Sequence, residues 1–275
     1  MNIFFFGGTS LAARDLVSSL KKDYKVYVFS RKKKLNKNFY HYDLNKKNNV
    51  SLQNSKHDEN YLFFFSSFVP LKEKKSTWGK CSKTNIFGLI ELLKKNKVKF
   101  KKIVLASSCS VYGTQKGPLT EKNFLKPESY YAISKLAQEN ILRIFCEKNK
   151  IKFLCFRLGY IYGKNMNNKR IVKKIVINYK RNKKLKIFNK NLNLNLIHTQ
   201  DIKEFILKSF KKCEGIFNLT NKYETKLIDF YNMVMNKKNK QKTKKNQFSS
   251  NKLTKMFPSI KFLSLSSGIN ELKND

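Results

Sequence analysis

The chain has 275 residues, 41% of them hydrophobic, so it is long and apolar enough to fold around a substantial core. Lysine and arginine number 59 against 18 acidic residues, a formal net charge of +41 that is typical of proteins binding nucleic acid or anionic membranes. Only six of the basic residues are arginine, however, and Lys, Asn, Ile and Phe all have A/T-rich codons. We therefore favour genome composition over a nucleic-acid partner as the origin of the charge.

Membrane, secreted and metal-binding classes are not favoured. The longest nearly apolar stretch, Leu62–Leu71, is about ten residues, well short of the ~20 that span a bilayer. The first residues, MNIFFFGG, lack the basic region of a signal peptide. Five cysteines without a CxxC pair and three scattered histidines predict neither a disulfide framework nor a metal site. We expect a reduced, cytoplasmic protein without membrane association.

Short apolar runs alternate with longer amphipathic ones along the first two-thirds of the chain. In chain order they predict strands or helices at Ile3–Phe6 (strand), Leu11–Leu20 (helix), Lys25–Phe29, Phe39–Tyr42 and Tyr61–Phe65 (strands), Thr84–Lys95 (helix), Lys102–Ser107 (strand), Tyr130–Lys148 (helix) and Ile151–Phe156 (strand). This alternation predicts an α/β fold with a doubly wound parallel sheet. No acidic residue occurs between Lys148 and Gln200. We expect one domain over residues 1–163 and a smaller C-terminal lobe over 164–275, with segments that return to the main sheet.

The turn after the first strand has the position and composition of a dinucleotide-binding turn, with the sequence Gly7, Gly8, Thr9, Ser10, Leu11. Gly7 fits the first glycine of the fingerprint, whereas Ser10 replaces the second and Ala13 the third. An ordinary strand-to-helix turn with Ser10 as the helix cap is the alternative interpretation.

The second strand ends at Ser30 and Arg31, where a carboxylate would normally bind the ribose 2′-hydroxyl of NAD. Ser30 and Arg31 suit a 2′-phosphate instead, and Lys32, Lys33 and Lys34 add positive charge. We expect an NAD(P) cofactor with a preference for NADP. The alternative is that Arg31 only begins a basic loop.

Tyr131 and Lys135 lie four residues apart on a predicted helix and therefore share one face. A lysine ammonium beside a tyrosine phenol stabilises the phenolate, which lets the phenol act as an acid or base near neutral pH. Ser108 follows the strand Lys102–Ser107, at the sheet edge where parallel sheets bind ligands.

In this order the motifs resemble the extended short-chain dehydrogenase/reductases of the NAD-dependent epimerase/dehydratase family, which have a Rossmann-type fold. The matching segments, in chain order, are the glycine-rich turn, Asp43-Leu44, Asn85–Gly88, SSCSVYG (107–113), YYAISK (130–135), Arg157–Gly163, IHTQDI (197–202), GIFNL (215–219) and SLSSGI (264–269).

The resemblance implies roles for individual residues. Ser108, Tyr131 and Lys135 would be catalytic, with Tyr131 as acid/base and Lys135 on the nicotinamide ribose. The residues implied to bind the cofactor are Gly7, Gly8, Thr9, Ser10, Leu11, Ser30, Arg31, Asp43, Leu44, Ser66, Ser67, Asn85, Tyr131 and Lys135. Those implied to contact substrate, together with the C-terminal substrate lobe, are Ser108, Cys109, Tyr160 and His198. The alternative interpretation of Cys109 is a buried thiol that takes no part in the reaction.

The function implied is hydride transfer at a sugar carbon of a sugar nucleotide, by an epimerase or a reductase that serves surface-polysaccharide or glycan precursor synthesis. Dehydration is disfavoured, because Cys109 and Ser110 stand where dehydratases of this type carry an Asp-Glu pair. A homodimer is the assembly considered. The alternative function is a non-catalytic member of the fold that became a binding protein, for instance for RNA.

Overall fold

The computed structural model describes residues 1–31, 38–46, 52, 59–237 and 244–275. Its strands are β1 (Asn2–Phe6), β2 (Lys25–Ser30), β3 (Phe39–His41), β4 (Asn60–Phe64), β5 (Lys102–Ser108), β6 (Lys152–Leu158), β7 (Tyr160–Tyr162), β8 (Asn193–Leu194), β9 (Leu196–His198), β10 (Gly215–Leu219), β11 (Tyr223–Lys226) and β12 (Lys244–Lys245). Its α-helices are α1 (Arg14–Asp23), α2 (Thr77–Cys81), α3 (Gly88–Lys95), α4 (Tyr130–Lys148), α5 (Ile171–Lys180), α6 (Thr199–Ser209), α7 (Leu227–Val234), α8 (Asn251–Met256) and α9 (Leu265–Asn274). A π-helical turn, Ser82–Phe87, joins α2 to α3, and a 3₁₀ turn, Cys109–Tyr112, follows β5.

Seven parallel strands form the central sheet in the order β10-β6-β5-β4-β1-β2-β3. The predicted doubly wound parallel sheet is confirmed. The edge strand β10 comes from the chain after residue 163, so the C-terminal part of the sequence completes the sheet. The boundary at residue 163 stays a prediction.

Both faces of the sheet are buried, which explains the nearly continuous apolar runs of its strands. Alternate residues face opposite layers, since side chains in a strand alternate between the two sides. Phe5 and Phe63 pack in a core with α1 and α6, whereas Phe4 and Phe64 pack in a second core with α3 and α4. Because all central strands run parallel, their carboxyl ends lie at the same edge of the sheet.

Two predicted helices begin elsewhere than expected. The first begins at Arg14 rather than Leu11, because the carbonyl of Ser10 accepts hydrogen bonds from the N–H groups of both Ala13 and Arg14 and closes a turn first. The helix predicted from Thr84 begins at Thr77 and includes the π turn. Its first five residues bury only two side chains, so they show no amphipathic stripe.

The helices α5, α7 and α9, called the C-terminal lobe from here on, share a separate apolar core. Val172 of α5, Phe230 of α7 and Ile269 of α9 are buried together beside the short strands β8 and β9. Among the helices of the described ranges, none combines the length and the apolar character needed to cross a membrane.

A buried lysine links the central sheet to the end of α6. Lys102 of β5 is 1% exposed, and its Nζ donates hydrogen bonds to the carbonyls of Phe210, Lys211 and Cys213 at 2.9, 3.0 and 3.1 Å. These carbonyls belong to Phe210, where α6 ends, and to the turn that follows it. A buried ammonium requires hydrogen-bond acceptors, so Lys102 ties this turn to the central sheet.

We expect Lys102→Met to lower the free energy of unfolding by about 2–4 kcal/mol, because three largely buried carbonyls lose their donor. Urea denaturation measures the change. The matched control is Lys101→Met, since Lys101 is half-exposed and pairs with the exposed Glu59, an interaction that water screens. Equal losses in the two variants would contradict the stabilising role of Lys102.

Candidate active site

A cleft of about 1450 Å³ lies at the carboxyl ends of the central strands, between the sheet and the C-terminal lobe. Its walls come from the turn after β1, the segment after β4, the end of β5, α4 and α5. Parallel sheets bind ligands at this edge, where the strands end and loops can supply polar groups. Of the predicted site residues, this cleft brings together Ser10, Leu11, Arg31, Ser67, Ser108, Cys109, Tyr131, Lys135 and Tyr160.

The glycine-rich turn brings the backbone close to the strand beside it. Gly7 has a φ of +81°, and a Cβ placed there would lie 2.7 Å from the backbone of Phe65 and Ser66. A Cβ on Gly8 would lie 2.8 Å from Val28, so Gly8 allows close packing on β2. Only glycine fits both positions, as a dinucleotide turn requires.

Polar groups without a protein partner meet at the start of α1. The buried hydroxyl oxygen of Ser10 has no hydrogen-bond partner within the described part of the chain, and the N–H groups of Leu11 and Ala12 have no acceptor there either. All three residues line the cleft. A helix N-terminus with such donors suits a phosphate, so the residues present fit the pyrophosphate of a dinucleotide.

The end of β2 carries no carboxylate. The buried Ser30 hydroxyl lies 2.7 Å from the Thr9 hydroxyl, which ties β2 to the glycine turn. Arg31 is exposed at the cleft wall. Lys32, Lys33 and Lys34 lie outside the described residues.

Asp43 and Leu44 form the turn after β3, away from the lining of the main cleft. The Asp43 carboxylate accepts a 3.0 Å hydrogen bond from the N–H of Asn45. A Cβ on Gly88 would lie 2.6 Å from the carbonyl oxygen of Leu44, so α3 begins in direct contact with this turn.

Asn85 holds the segment after β4 against α4. This residue is fully buried, and its side-chain amide binds both the N–H of Phe68 at 2.6 Å and the carbonyl of Phe68 at 3.1 Å. It also donates to the hydroxyl of Ser134 at 2.8 Å. Ser67, which lines the cleft, directly precedes Phe68, the residue whose backbone Asn85 binds. Ser66 lies beside Gly7.

Tyr131 and Ser108 interact through their side chains at the cleft floor. The N-terminus of α4 is capped by the hydroxyl of Ser129, and the Glu73 carboxylate accepts hydrogen bonds from the N–H groups of Tyr130 and Tyr131. Burial raises the pKa of Tyr131 to about 12, although a hydrogen bond with Ser108 and the positive charge of Arg170 oppose the rise. The phenol is therefore protonated at neutral pH.

Lys135 lies one turn further along α4 and is 2% exposed. Its Nζ donates hydrogen bonds to Ser67 Oγ at 3.0 Å, to the carbonyl of Ala106 at 2.6 Å and to Gln138 Oε1 at 2.6 Å. Burial lowers the pKa of Lys135 to about 8, since all three acceptors are uncharged.

The three remaining substrate candidates differ in position. Tyr160 lines the cleft. Cys109 is 2% exposed and its thiol donates to the carbonyl of Arg157 at 3.1 Å; burial raises the pKa of this thiol well above its ordinary value, as expected of a spectator. His198 is 1% exposed, packs on Tyr162 and is not among the residues that line the cleft.

Sequence reasoning did not single out several groups around the cleft. Arg170 and Lys174 line it from the C-terminal lobe. Behind it, Glu139 and Arg157 form a buried ion pair in which each side chain is 3% exposed. The spacing of Glu139, four residues after Lys135, was a signal for a shared helix face.

The parallel sheet, the glycine turn and the Ser108–Tyr131–Lys135 set define a dinucleotide-binding enzyme of the short-chain dehydrogenase/reductase type. The chain belongs to the NAD-dependent epimerase/dehydratase family, whose model matches residues 3–220. The predicted family and class of enzyme are thus confirmed.

Solved structures share the fold over the whole chain. UDP-glucuronic acid 4-epimerase from Bacillus cereus, in complex with UDP-glucuronic acid and NAD, superposes with a TM-score of 0.82 at 17% identity, covering 100% of this chain and 98% of that one. UDP-glucose 4-epimerase from Thermotoga maritima gives 0.82 at 19% identity with the same coverage. RMD from Pseudomonas aeruginosa, complexed with NADPH, gives 0.80 at 14% identity, covering 99% and 97%. No curated protein sequence matches the chain.

The lowered pKa of Lys135 makes stability depend on pH. The unfolded chain holds this proton up to its ordinary pKa of 10.5, whereas the native protein loses it near 8. The unfolded state therefore binds more protons between these values, and stability rises with pH across that window.

We expect wild type to gain about 2 kcal/mol over Lys135→Met between pH 7 and pH 9.5, measured as the difference of urea unfolding free energies. Lys148→Met, at an exposed position of the same helix, is the control and should follow wild type at both values. A pH-independent difference between wild type and Lys135→Met would show that the lysine is not desolvated.

Proposed function

We propose that this protein is an NAD(P)-dependent epimerase of a sugar nucleotide, with a reductase of the same substrate class as the second candidate. The observation that carries the proposal is the meeting of Ser108, Tyr131 and Lys135 in one cleft below the dinucleotide turn. The ligands bound in structurally similar proteins, UDP-glucuronic acid, UDP-glucose and NAD, support it. The Ser30-Arg31 end of β2 and the NADPH complex of RMD favour the reductase.

The dinucleotide would bind along the carboxyl edge of the sheet. Gly7 and Gly8 allow the backbone approach, while Ser10 with the N–H groups of Leu11 and Ala12 would hold the pyrophosphate. Asp43 and Leu44 would flank the adenine. Thr9 would position the Ser30 hydroxyl, and Ser66, Ser67 and Asn85 would shape the channel toward the nicotinamide. When bound, the nicotinamide accepts and returns a hydride.

Tyr131 is the group proposed to move the proton. Its phenolate takes the proton of a sugar hydroxyl during oxidation, and its phenol returns a proton during reduction. Ser108, which interacts with the Tyr131 side chain, donates a hydrogen bond to the sugar oxygen as negative charge develops there. Lys135, charged below its pKa of about 8, favours the phenolate and would bind the nicotinamide ribose.

The C-terminal lobe would hold the substrate. Tyr160 contributes a wall beside Ser108, and Arg170 and Lys174 supply positive charge suited to a diphosphate. Cys109 would add packing behind the sugar rather than a proton, and His198 would support this wall through Tyr162. We place the reaction in the cytoplasm, in glycan precursor synthesis, as the sequence indicates.

A homodimer remains part of the proposal. Apolar side chains on neighbouring helices stay exposed: Phe87 is 61%, Ile133 39% and Ile144 44% exposed. A second copy of this chain would cover them.

Tyr131→Phe should leave cofactor affinity nearly unchanged and lower turnover of a UDP-sugar by at least ~100-fold, since the phenol is the acid/base. Steady-state kinetics with UDP-glucose and UDP-glucuronic acid, alongside cofactor titration, measure both effects. Tyr130→Phe is the matched control, because Tyr130 is exposed, packs on Trp78 and lies outside the cleft lining. Full activity in Tyr131→Phe would refute the mechanism.

NADP(H) should bind more tightly than NAD(H) by about 1–3 kcal/mol, because Arg31 offers charged hydrogen bonds to the 2′-phosphate and Ser30 presents no carboxylate. Titration of both cofactors against wild type, Arg31→Ala and the control Arg181→Ala tests this. Arg181 is exposed and does not line the cleft. Equal affinities in wild type, or no loss of NADP affinity in Arg31→Ala, would contradict the NADP preference and remove the argument for the reductase.

A further inference from the structure

The face of α4 that carries the proposed acid/base continues one turn beyond Lys135. Tyr131, Lys135 and Glu139 follow each other at four-residue spacing, so all three lie on one side of the helix. The first two line the cleft, whereas Glu139 is 3% exposed and lies behind it. The chain has only 18 acidic residues, and the carboxylate of one of them, Glu139, is buried directly behind the cleft.

Glu139 makes direct contact with the strand end that carries Ser108. Its carboxylate accepts a hydrogen bond from the hydroxyl of Ser107, the residue before Ser108. The same carboxylate accepts from Arg157 of β6, with Nη2 at 2.8 Å from Oε2 and Nε at 3.1 Å from Oε1. Glu139 therefore sets the distance of α4 from the end of β5.

Arg157 holds the chain on the other side of Ser108. Its Nη1 donates to the hydroxyl of Tyr112 at 2.9 Å, and its carbonyl accepts from the Cys109 thiol at 3.1 Å. Both partners belong to the 3₁₀ turn that follows Ser108. Tyr112 in turn donates to Asn218 of β10 at 2.8 Å. The residues on both sides of Ser108 are therefore held by contacts with Glu139 and Arg157.

Stability alone does not account for such a pair. Burying two charges costs several kcal/mol of desolvation, and apolar side chains of similar volume often stabilise a core equally well or better. What the pair supplies is defined geometry, since the forked guanidinium accepts only a narrow set of carboxylate positions.

We propose that Glu139 and Arg157 are positioning residues that hold the hydroxyl of Ser108 in register with Tyr131 for proton transfer, an inference that rests on the reaction proposed above. A small misplacement of a reacting group costs large factors in rate, so the effect should fall on kcat rather than on KM.

The carboxylate of Glu139 also has an electrostatic effect that a purely structural residue would lack. Lys135 faces Cys155 of β6, Glu139 on its own helix, and the uncharged acceptors Ser67, Ala106 and Gln138. Burial lowers the pKa of Lys135, and the negative charge of Glu139 opposes that fall. Neutralising Glu139 should therefore move the alkaline limb of the kcat profile to lower pH.

The central test compares wild type with Glu139→Gln in kcat, KM and their pH dependence between pH 6 and 9.5. We expect kcat to fall by about 10- to 100-fold and KM for the sugar nucleotide to change less than about threefold. Glu147→Gln is the matched control, because Glu147 is on the same helix, exposed, and paired with Arg143. It should behave as wild type.

A double-mutant cycle identifies the group through which Glu139 acts. In a Ser108→Ala background, Glu139→Gln should cost much less than in wild type, because the hydroxyl that it positions is already absent. The proposal would be overturned if Glu139→Gln lowered kcat by the same factor in both backgrounds. It would also be overturned if the alkaline limb of the kcat profile did not shift and kcat stayed within about twofold of wild type.

A second variant covers the case in which Glu139→Gln fails to fold. Tyr112→Phe removes a single hydroxyl contact of Arg157 and should lower kcat by about three- to tenfold with KM unchanged; unchanged kcat there would also overturn the proposal. If wild type itself turns over neither UDP-glucose nor UDP-glucuronic acid with either cofactor, the proposed function fails, an outcome distinct from any result on these variants.

Discussion

The burial of one ammonium group organises the site. The Nζ of Lys135 has three acceptors, and they belong to three different parts of the fold: Ser67 after β4, Ala106 in β5 and Gln138 on α4 itself. A buried charge must be fully hydrogen-bonded, so the helix, the strand end and the neighbouring segment can pack only in positions that satisfy it. Asn85 then fixes the same segment from the other side. Desolvation of this ammonium is destabilising, and the proposed reaction would use its positive charge one helical turn from Tyr131.

Carboxylates are scarce in this chain, and several of them occupy structurally decisive places. Glu73 accepts from the N-terminus of α4, Glu139 pairs with Arg157, and Glu121 accepts from the backbone of Asn218 at the sheet edge. Asp275 pairs with Lys173 in the C-terminal lobe. Many lysines, by contrast, lie on exposed positions of the described surface. The net charge of +41 therefore says little about fold or site, whereas each of these carboxylates defines a particular contact.

Local pattern predicted the sheet because each central strand is buried on both faces and so reads as an apolar run, as in Asn2–Phe6 and Asn60–Phe64. It also predicted the shared face of Tyr131 and Lys135, since helix geometry fixes that spacing. It did not reveal Arg170 at the cleft or the burial of His198, because both depend on how the C-terminal lobe packs against the sheet. The π turn around Asn85 likewise follows from tertiary packing against Phe68 rather than from local propensity.

The opposite pKa shifts of Tyr131 and Lys135 indicate an order of events in the proposed reaction. Burial raises the pKa of Tyr131 to about 12 and lowers that of Lys135 to about 8, so at neutral pH the phenol is protonated and the ammonium is still largely charged. A phenolate at neutral pH therefore requires additional positive charge near Tyr131, which Arg170 supplies only in part. An oxidised nicotinamide ring is cationic, and placing it beside Tyr131 would lower the pKa of the phenol further. Proton removal from the sugar would consequently follow cofactor binding.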